Sequence, residues 1–207
     1  MKRRTSSFAI GFVLIASVIP AFLLVPATSA ASTPATFIKE YSNILNNVRQ
    51  SLTPADVQTT SDGGSIALAS TDGGVSWLVK LDPSGAPQWQ EELGVFGLPP
   101  GSYALGLSVQ QTTDGGYIVG GGTLGGGSTS ACPPTSGIQC AYVEKLDSGG
   151  RIVWAQAYPA GAGGSSITQI KQSSDGGYIA VGSTNDVDQN VGALILKLDA
   201  TGRVLWR

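Results

Sequence analysis

The sequence predicts an all-β fold assembled from one repeated four-stranded antiparallel sheet, and three observations predict it. A self-similar segment of about 50 to 60 residues recurs three times. Glycine-bearing turn signals stand at matching places in each copy. Composition agrees, because 29 Gly and only 13% charged residues suit strands and tight turns better than amphipathic helices.

The copies align on their turns. The first contains Asp62-Gly63-Gly64-Ser65-Ile66 and then Lys80-Leu81-Asp82, Gly85 and Trp89. The second has Asp114-Gly115-Gly116-Tyr117-Ile118, then Lys145-Leu146-Asp147, Gly150 and Trp154. The third has Asp175-Gly176-Gly177-Tyr178-Ile179, then Lys197-Leu198-Asp199, Gly202 and Trp206. The later Asp precedes the Trp by 7 residues in every copy, so that connection is framework. The two Asp positions stand 20, 33 and 24 residues apart, so a loop of variable length lies between them.

Each anchor has a mechanical reason. Asp-Gly between a polar and an apolar run signals a hairpin, because Gly takes positive φ without steric cost. Asp-x-x-Gly after an apolar run fits a type I turn in which the Asp side chain caps the turn amides and Gly restarts the next strand. Asp62, Asp82, Asp114, Asp147, Asp175 and Asp199 are therefore structural repeat positions. Strands are expected in the second copy near Leu105–Gln111, Tyr117–Gly121, Ala141–Leu146 and Arg151–Tyr158. The third strand is apolar on both faces, with Trp77, Val79 and Leu81 alternating with Leu78, and Leu194, Leu196 and Leu198 alternating with Ile195. A strand buried on both sides belongs to a sheet stacked between other sheets. Radially stacked four-stranded sheets are the blades of a β-propeller, the architecture expected here.

The domain organisation follows. Residues 1–30 carry Lys2, Arg3 and Arg4, an apolar run from Phe8 to Pro26 and the small residues Ala27 to Ala30, the order of a secretory signal. An uncleaved anchor is the alternative, since the run approaches bilayer thickness; Pro20, Pro26 and the small-residue end favour cleavage. Residues 31–207 form the repeat domain, with an outer blade strand at 34–41 and repeats at about 52–93, 104–158 and 166–207. One strand plus three blades falls short of the about four to eight blades of an ordinary closed ring. The expectation is an incomplete propeller, either a truncated product or the first part of a longer protein, with self-association through open blade edges as the other means of closure.

Charge excludes some partners. The mature chain keeps 9 Lys+Arg against 14 Asp+Glu, a net −5, and no basic cluster follows Arg4, so nucleic acid and anionic membrane surfaces are not expected partners. Cys132 and Cys140 are the only cysteines. In an oxidising compartment they are expected to form a local disulfide across Pro133–Gly137. With no His in the chain they fall short of a zinc site.

Few residues suggest catalysis. The lack of His excludes Ser-His-Asp and Cys-His devices. Paired carboxylates remain for glycoside hydrolysis, from Glu40, Glu91, Glu92 and Glu144. Glu144 stands out because the other copies have Val79 and Leu196 there; the plainer reading is a strand end reaching water or pairing with Lys. Gly120-Gly-Gly122-Thr-Leu-Gly125 matches a dinucleotide fingerprint formally, but Gly- and Pro-rich residues follow where a helix is required. Asp186, Asp188 and Asn190 alternate like a calcium loop, yet Val191 and Lys197 stand where Gly and Glu are needed. Trp89, Trp154 and Trp206 could stack sugars, but recurrence at one blade position favours packing between blades.

The pattern Asp-Gly-Gly-Tyr-Ile followed by Lys-Leu-Asp-x-x-Gly-x-x-x-Trp resembles that of bacterial secreted β-propeller repeat proteins over nearly all of residues 34–207. Its turn-and-Trp part also resembles the quinoprotein alcohol dehydrogenase-like repeat, with the turn one residue shorter. Those dehydrogenases hold pyrroloquinoline quinone over adjacent disulfide-bonded cysteines and a calcium ion. Cys132 and Cys140 are not adjacent, so the resemblance implies the scaffold, without that cofactor and with no other expected. The expected function is a non-catalytic extracellular or cell-surface scaffold for a protein or glycan ligand. Loops at Ser70–Ser76, Thr123–Cys140 and Ser183–Val191 would carry its specificity. The rival is a secreted enzyme, either a glycoside hydrolase or a quinoprotein-like oxidoreductase.

Overall fold

The structure is a computed structural model that describes residues 52–71, 75–93, 103–124, 139–159, 163–185, 188 and 190–207. The signal at 1–30 and the strand expected at 34–41 lie outside the described residues. No helix occurs among the described residues.

Among the described residues, twelve strands form three four-stranded antiparallel sheets. The first contains β1 (Leu52–Thr59), β2 (Ser65–Thr71), β3 (Ser76–Leu81) and β4 (Pro87–Glu92). The second contains β5 (Tyr103–Gln111), β6 (Tyr117–Leu124), β7 (Ala141–Leu146) and β8 (Ile152–Tyr158). The third contains β9 (Gly164–Gln172), β10 (Tyr178–Asn185), β11 (Val191–Leu198) and β12 (Val204–Trp206). Strand order follows chain order in each sheet, so every sheet is a meander.

The turn chemistry explains the meanders. Gly63, Gly115 and Gly176 sit at φ 80°, 81° and 80° in the first turn of each sheet, a region costly for any residue with a Cβ. At the β3–β4 turn, the Asp82 side-chain oxygen accepts from the Ser84 and Ala86 amides at 2.8 and 2.9 Å. Asp147 does the same for Gly149 and Arg151, and Asp199 for Thr201 and Arg203, all at 2.9 Å. Both turns fall at one end of the sheet, and the variable β2–β3 loops leave from the other.

The sheets stack in sequence. Ile66, Leu68 and Leu78 of the first pack against Val109, Tyr117, Val119, Tyr142 and Leu146 of the second. Ile118, Val143 and Tyr158 on the second sheet's opposite face pack against Ile167, Ile170, Tyr178, Leu194, Leu196 and Leu198 of the third. β1 runs beside β5, and β5 beside β9, so the sheets approach along their first strands.

Burial of the third strand on both faces holds only for the middle sheet. Every described residue of β7 is buried. In β3 the residues Trp77, Val79 and Leu81 are half-exposed, and in β11 Ile195 is exposed. Those side chains lie on the two faces that no other sheet among the described residues covers.

Candidate functional site

The polar residues of the repeat are concentrated at the turn end of each sheet, where they form a clasp. In the first sheet Lys80 Nζ lies 2.8 Å from Asp62 Oδ2 and donates to the Leu81 carbonyl at 2.9 Å. Asp62 Oδ1 accepts from the Thr60 hydroxyl at 2.6 Å and the Gly64 amide at 3.0 Å. Lys145 with Asp114, and Lys197 with Asp175, repeat the ion pair at 2.9 and 2.7 Å. The lysine crosses from the third strand to the first turn and fastens the hairpin to it. The second Gly of each turn leaves the necessary space. A Cβ on Gly116 would lie 2.3 Å from the Leu146 carbonyl oxygen and 2.4 Å from Lys145 Nζ.

These contacts lower the carboxylate pKa values. The hydrogen bond from Lys80, then those from Thr60 and Gly64, hold Asp62 well below the usual range. Lys197, then Ser173 and Gly177, do so for Asp175. At Asp114 burial pushes the value up, but hydrogen bonds from Thr112, Lys145 and Gly116 outweigh it and hold it at about 2. Asp199, bonded by the Thr201 hydroxyl and the Arg203 amide, also lies at about 2. An unfolded Asp titrates near about 3.9. Folded-state values below that mean the unfolded chain binds more protons, so this stabilisation is complete above the unfolded pKa and is lost as pH falls through the folded one. The melting temperature should therefore be flat with respect to these groups from about pH 7 to 5 and fall between about pH 4 and 2. Tryptophan fluorescence melts across that range check it; a plateau continuing to pH 2 would show that the clasps do not stabilise the fold.

The same end holds a groove of about 440 Å³ between the second and third sheets, lined by Asp114, Lys145, Asp147, Trp154, Gln172 and Tyr178 among others. Trp154 stands edge-on to Tyr178, with ring centroids 6.0 Å apart at 63°. A Cβ on Gly202 would lie 2.8 Å from the Trp154 ring, so the indole packs on that glycine. Trp89 does the same on Gly150 and lies edge-on to Tyr117 at 5.4 Å. Trp206 is 53% exposed. The three tryptophans thus occupy equivalent sites in successive sheets, and Trp89 and Trp154 each pack on a glycine of the following sheet. Asp114, Lys145 and Asp147 already serve the clasp or the turn, so the groove offers shape and an aromatic edge more than free charge.

Glu144 does not reach water at a strand end. It is fully buried on the face toward the first sheet and accepts a hydrogen bond from the Tyr142 hydroxyl. Burial first, and then the Glu144 charge, push the Tyr142 phenol well above its ordinary range, so the proton stays on Tyr142. Glu91 and Glu92 are neighbours on β4 and so project to opposite faces. Burial, then the Glu92 charge, raise Glu91. Glu40 lies outside the described residues.

Asp188 and Asn190 are exposed between β10 and β11, while Asp186, the remaining member of the calcium-loop pattern, lies outside the described residues. Among the described residues no three His, Cys, Asp or Glu converge. Cys140 is buried just before β7, its amide donating to the Thr123 hydroxyl at 3.1 Å. Cys132 is outside the described residues, as is most of the Thr123–Cys140 loop. The Gly120–Gly122 part of the fingerprint belongs to β6.

Sequence reasoning missed the polar ties between sheets. Gln111 accepts from the Ser61 amide of the preceding sheet, and Gln172 from the Thr113 amide, both at 2.8 Å. Asp56 accepts from the Val109 amide at 2.9 Å. A signal existed for the first two, since Gln stands three residues before the turn Asp in both later copies.

No protein-family model and no curated protein matches the chain. It is similar in structure to a protein of unknown function from Bacteroides caccae, with 11% identity, a TM-score of 0.40 and 75% of this chain covered. This chain spans 60% of that protein's length.

Proposed function

We propose that the chain is a secreted, non-catalytic β-propeller segment that presents variable loops to a protein or glycan ligand. The observation that carries this reading is how its six recurrent aspartates and Glu144 are used. Asp62, Asp114 and Asp175 are held in the clasps, Asp82, Asp147 and Asp199 cap turns, and Glu144 is buried beneath Tyr142. Three stacked meanders approaching along their first strands support the propeller arrangement. The repeat fixes one end of each sheet with short turns, and length variation is confined to the other end, where loops on a rigid frame can diverge. A Cys132–Cys140 disulfide would restrain the longest of these loops, and export is proposed on residues 1–30.

The test uses the secreted chain on a glycan array and on chromogenic glycosides in parallel. Binding without turnover, lost when the loop between β6 and β7 is replaced by the short β2–β3 loop at unchanged melting temperature, is the expected outcome. Hydrolysis that disappears in Glu144→Gln would overturn the scaffold reading in favour of a glycoside hydrolase.

A further inference from the structure

Equivalent positions in the three sheets fall into two sets. One set faces the following sheet: Leu78, Val143 and Ile195 on the third strand, Leu68, Gly120 and Val181 on the second, and the tryptophans on the fourth. Leu78 and Val143 are fully buried at the two internal joints, while Ile195 is 48% exposed. The other set faces the preceding sheet. Val109 and Ile170 are fully buried there, while the equivalent Val57 is 64% exposed. Among the described residues the three sheets thus present two apolar faces, and each resembles one half of a joint already made twice inside the chain.

The halves also match in shape. Trp89 seats on Gly150, whose φ is 84°, and Trp154 on Gly202, at the same φ. The glycine of that type on the first sheet's open face is Gly85, at φ 76°, and the tryptophan on the third sheet's open face is Trp206.

We propose that the open face of β9–β12 docks the open face of β1–β4 of a second copy of this chain, head to tail, with Trp206 on Gly85. A second copy is the occupant the residues favour, because that pairing covers both open faces with a joint the repeat already makes. Two copies bring six of the described sheets together, within the about four to eight of closed propellers. The joint is weaker than the internal ones. Ser65 stands where Tyr117 and Tyr178 meet a tryptophan edge, and Thr59 stands where Gln111 and Gln172 accept an amide. Association is therefore reversible and rises with concentration. The contact is heterologous, each copy offering two different surfaces. It does not depend on the loop ligand proposed above.

Sedimentation equilibrium on the secreted chain tests it, with Val57→Asp and Ile195→Asp, both at exposed positions, and thermal melts to confirm folding. The wild-type mass should rise with concentration. Each variant alone should stay monomeric, having lost one face. An equimolar mixture should form a dimer, since each variant keeps the face the other lacks. Trp206→Ala replaces Ile195→Asp if that variant melts early. A wild-type chain that remains monomeric overturns the proposal and leaves further repeats as the occupant of these faces. Assembly by either single variant, or a monomeric mixture, overturns the head-to-tail geometry and with it the proposal.

Discussion

Replacing Gly116 by alanine should destabilise the protein by about 3 kcal/mol, the upper end for inserting one carbon into a packed site. The new Cβ would meet the Leu146 carbonyl at 2.3 Å and Lys145 Nζ at 2.4 Å. The lysine can swing away, but only by giving up its bonds to Asp114 and the Leu146 carbonyl. The carbonyl belongs to β7, which is buried along its whole described length and cannot retreat. Two neighbours calibrate the result. Gly115→Ala, at φ 81° and with its nearest other atom at 3.8 Å, carries backbone strain alone, about 1 to 2 kcal/mol. Gly149→Ala, at 3.4 Å from Asp147 Oδ1, should fall within about 0.5 kcal/mol of wild type. Urea midpoints at constant slope measure all three. A Gly116 variant no weaker than the Gly115 variant would mean the clasp yields freely.

That comparison marks where sequence reading stops. Gly115 was legible, because a tight turn calls for positive φ at its glycine and only the local chain sets it. Gly116 looked like the same signal repeated, yet its backbone is ordinary. Its reason is a lysine 29 residues further along the chain. Strands were legible for the same local cause: Ala141–Leu146 lies where its apolar run placed it, and β6 and β8 differ from expectation only at their ends. Faces were less so. Alternation shows which side chains share a side of a strand, but not whether another sheet covers that side. Val79 and Ile195 therefore looked as buried as Val143 and are not. Glu144 misled for a related reason, since its partner Tyr142 is two residues away on the same face and both point into the joint with the first sheet. Of the candidate site, the turn carboxylates were legible, whereas the loops joining the second and third strands vary in length and carry no repeat from which to read them.

The tryptophans give the sharpest contrast, because one motif predicts two different energies. Trp154→Ala should cost about 3 kcal/mol, the low end for a large aromatic since the indole is only partly buried. The loss combines the packing on Gly202, the edge contact with Tyr178 and a cavity in the joint between the second and third sheets. Alanine cannot fill it, because the facing residue is a glycine whose φ of 84° is built for the missing ring. Trp206→Ala, at the same repeat position, should cost less than about 0.5 kcal/mol in dilute solution, because the side chain is 53% exposed on a face that none of the described sheets covers. Denaturant titrations at low protein concentration keep copies apart and compare the two directly. If the losses were equal, stability would follow the motif itself. If Trp154 alone mattered, it would follow the stacking of one sheet on the next, the interaction that holds this repeat together.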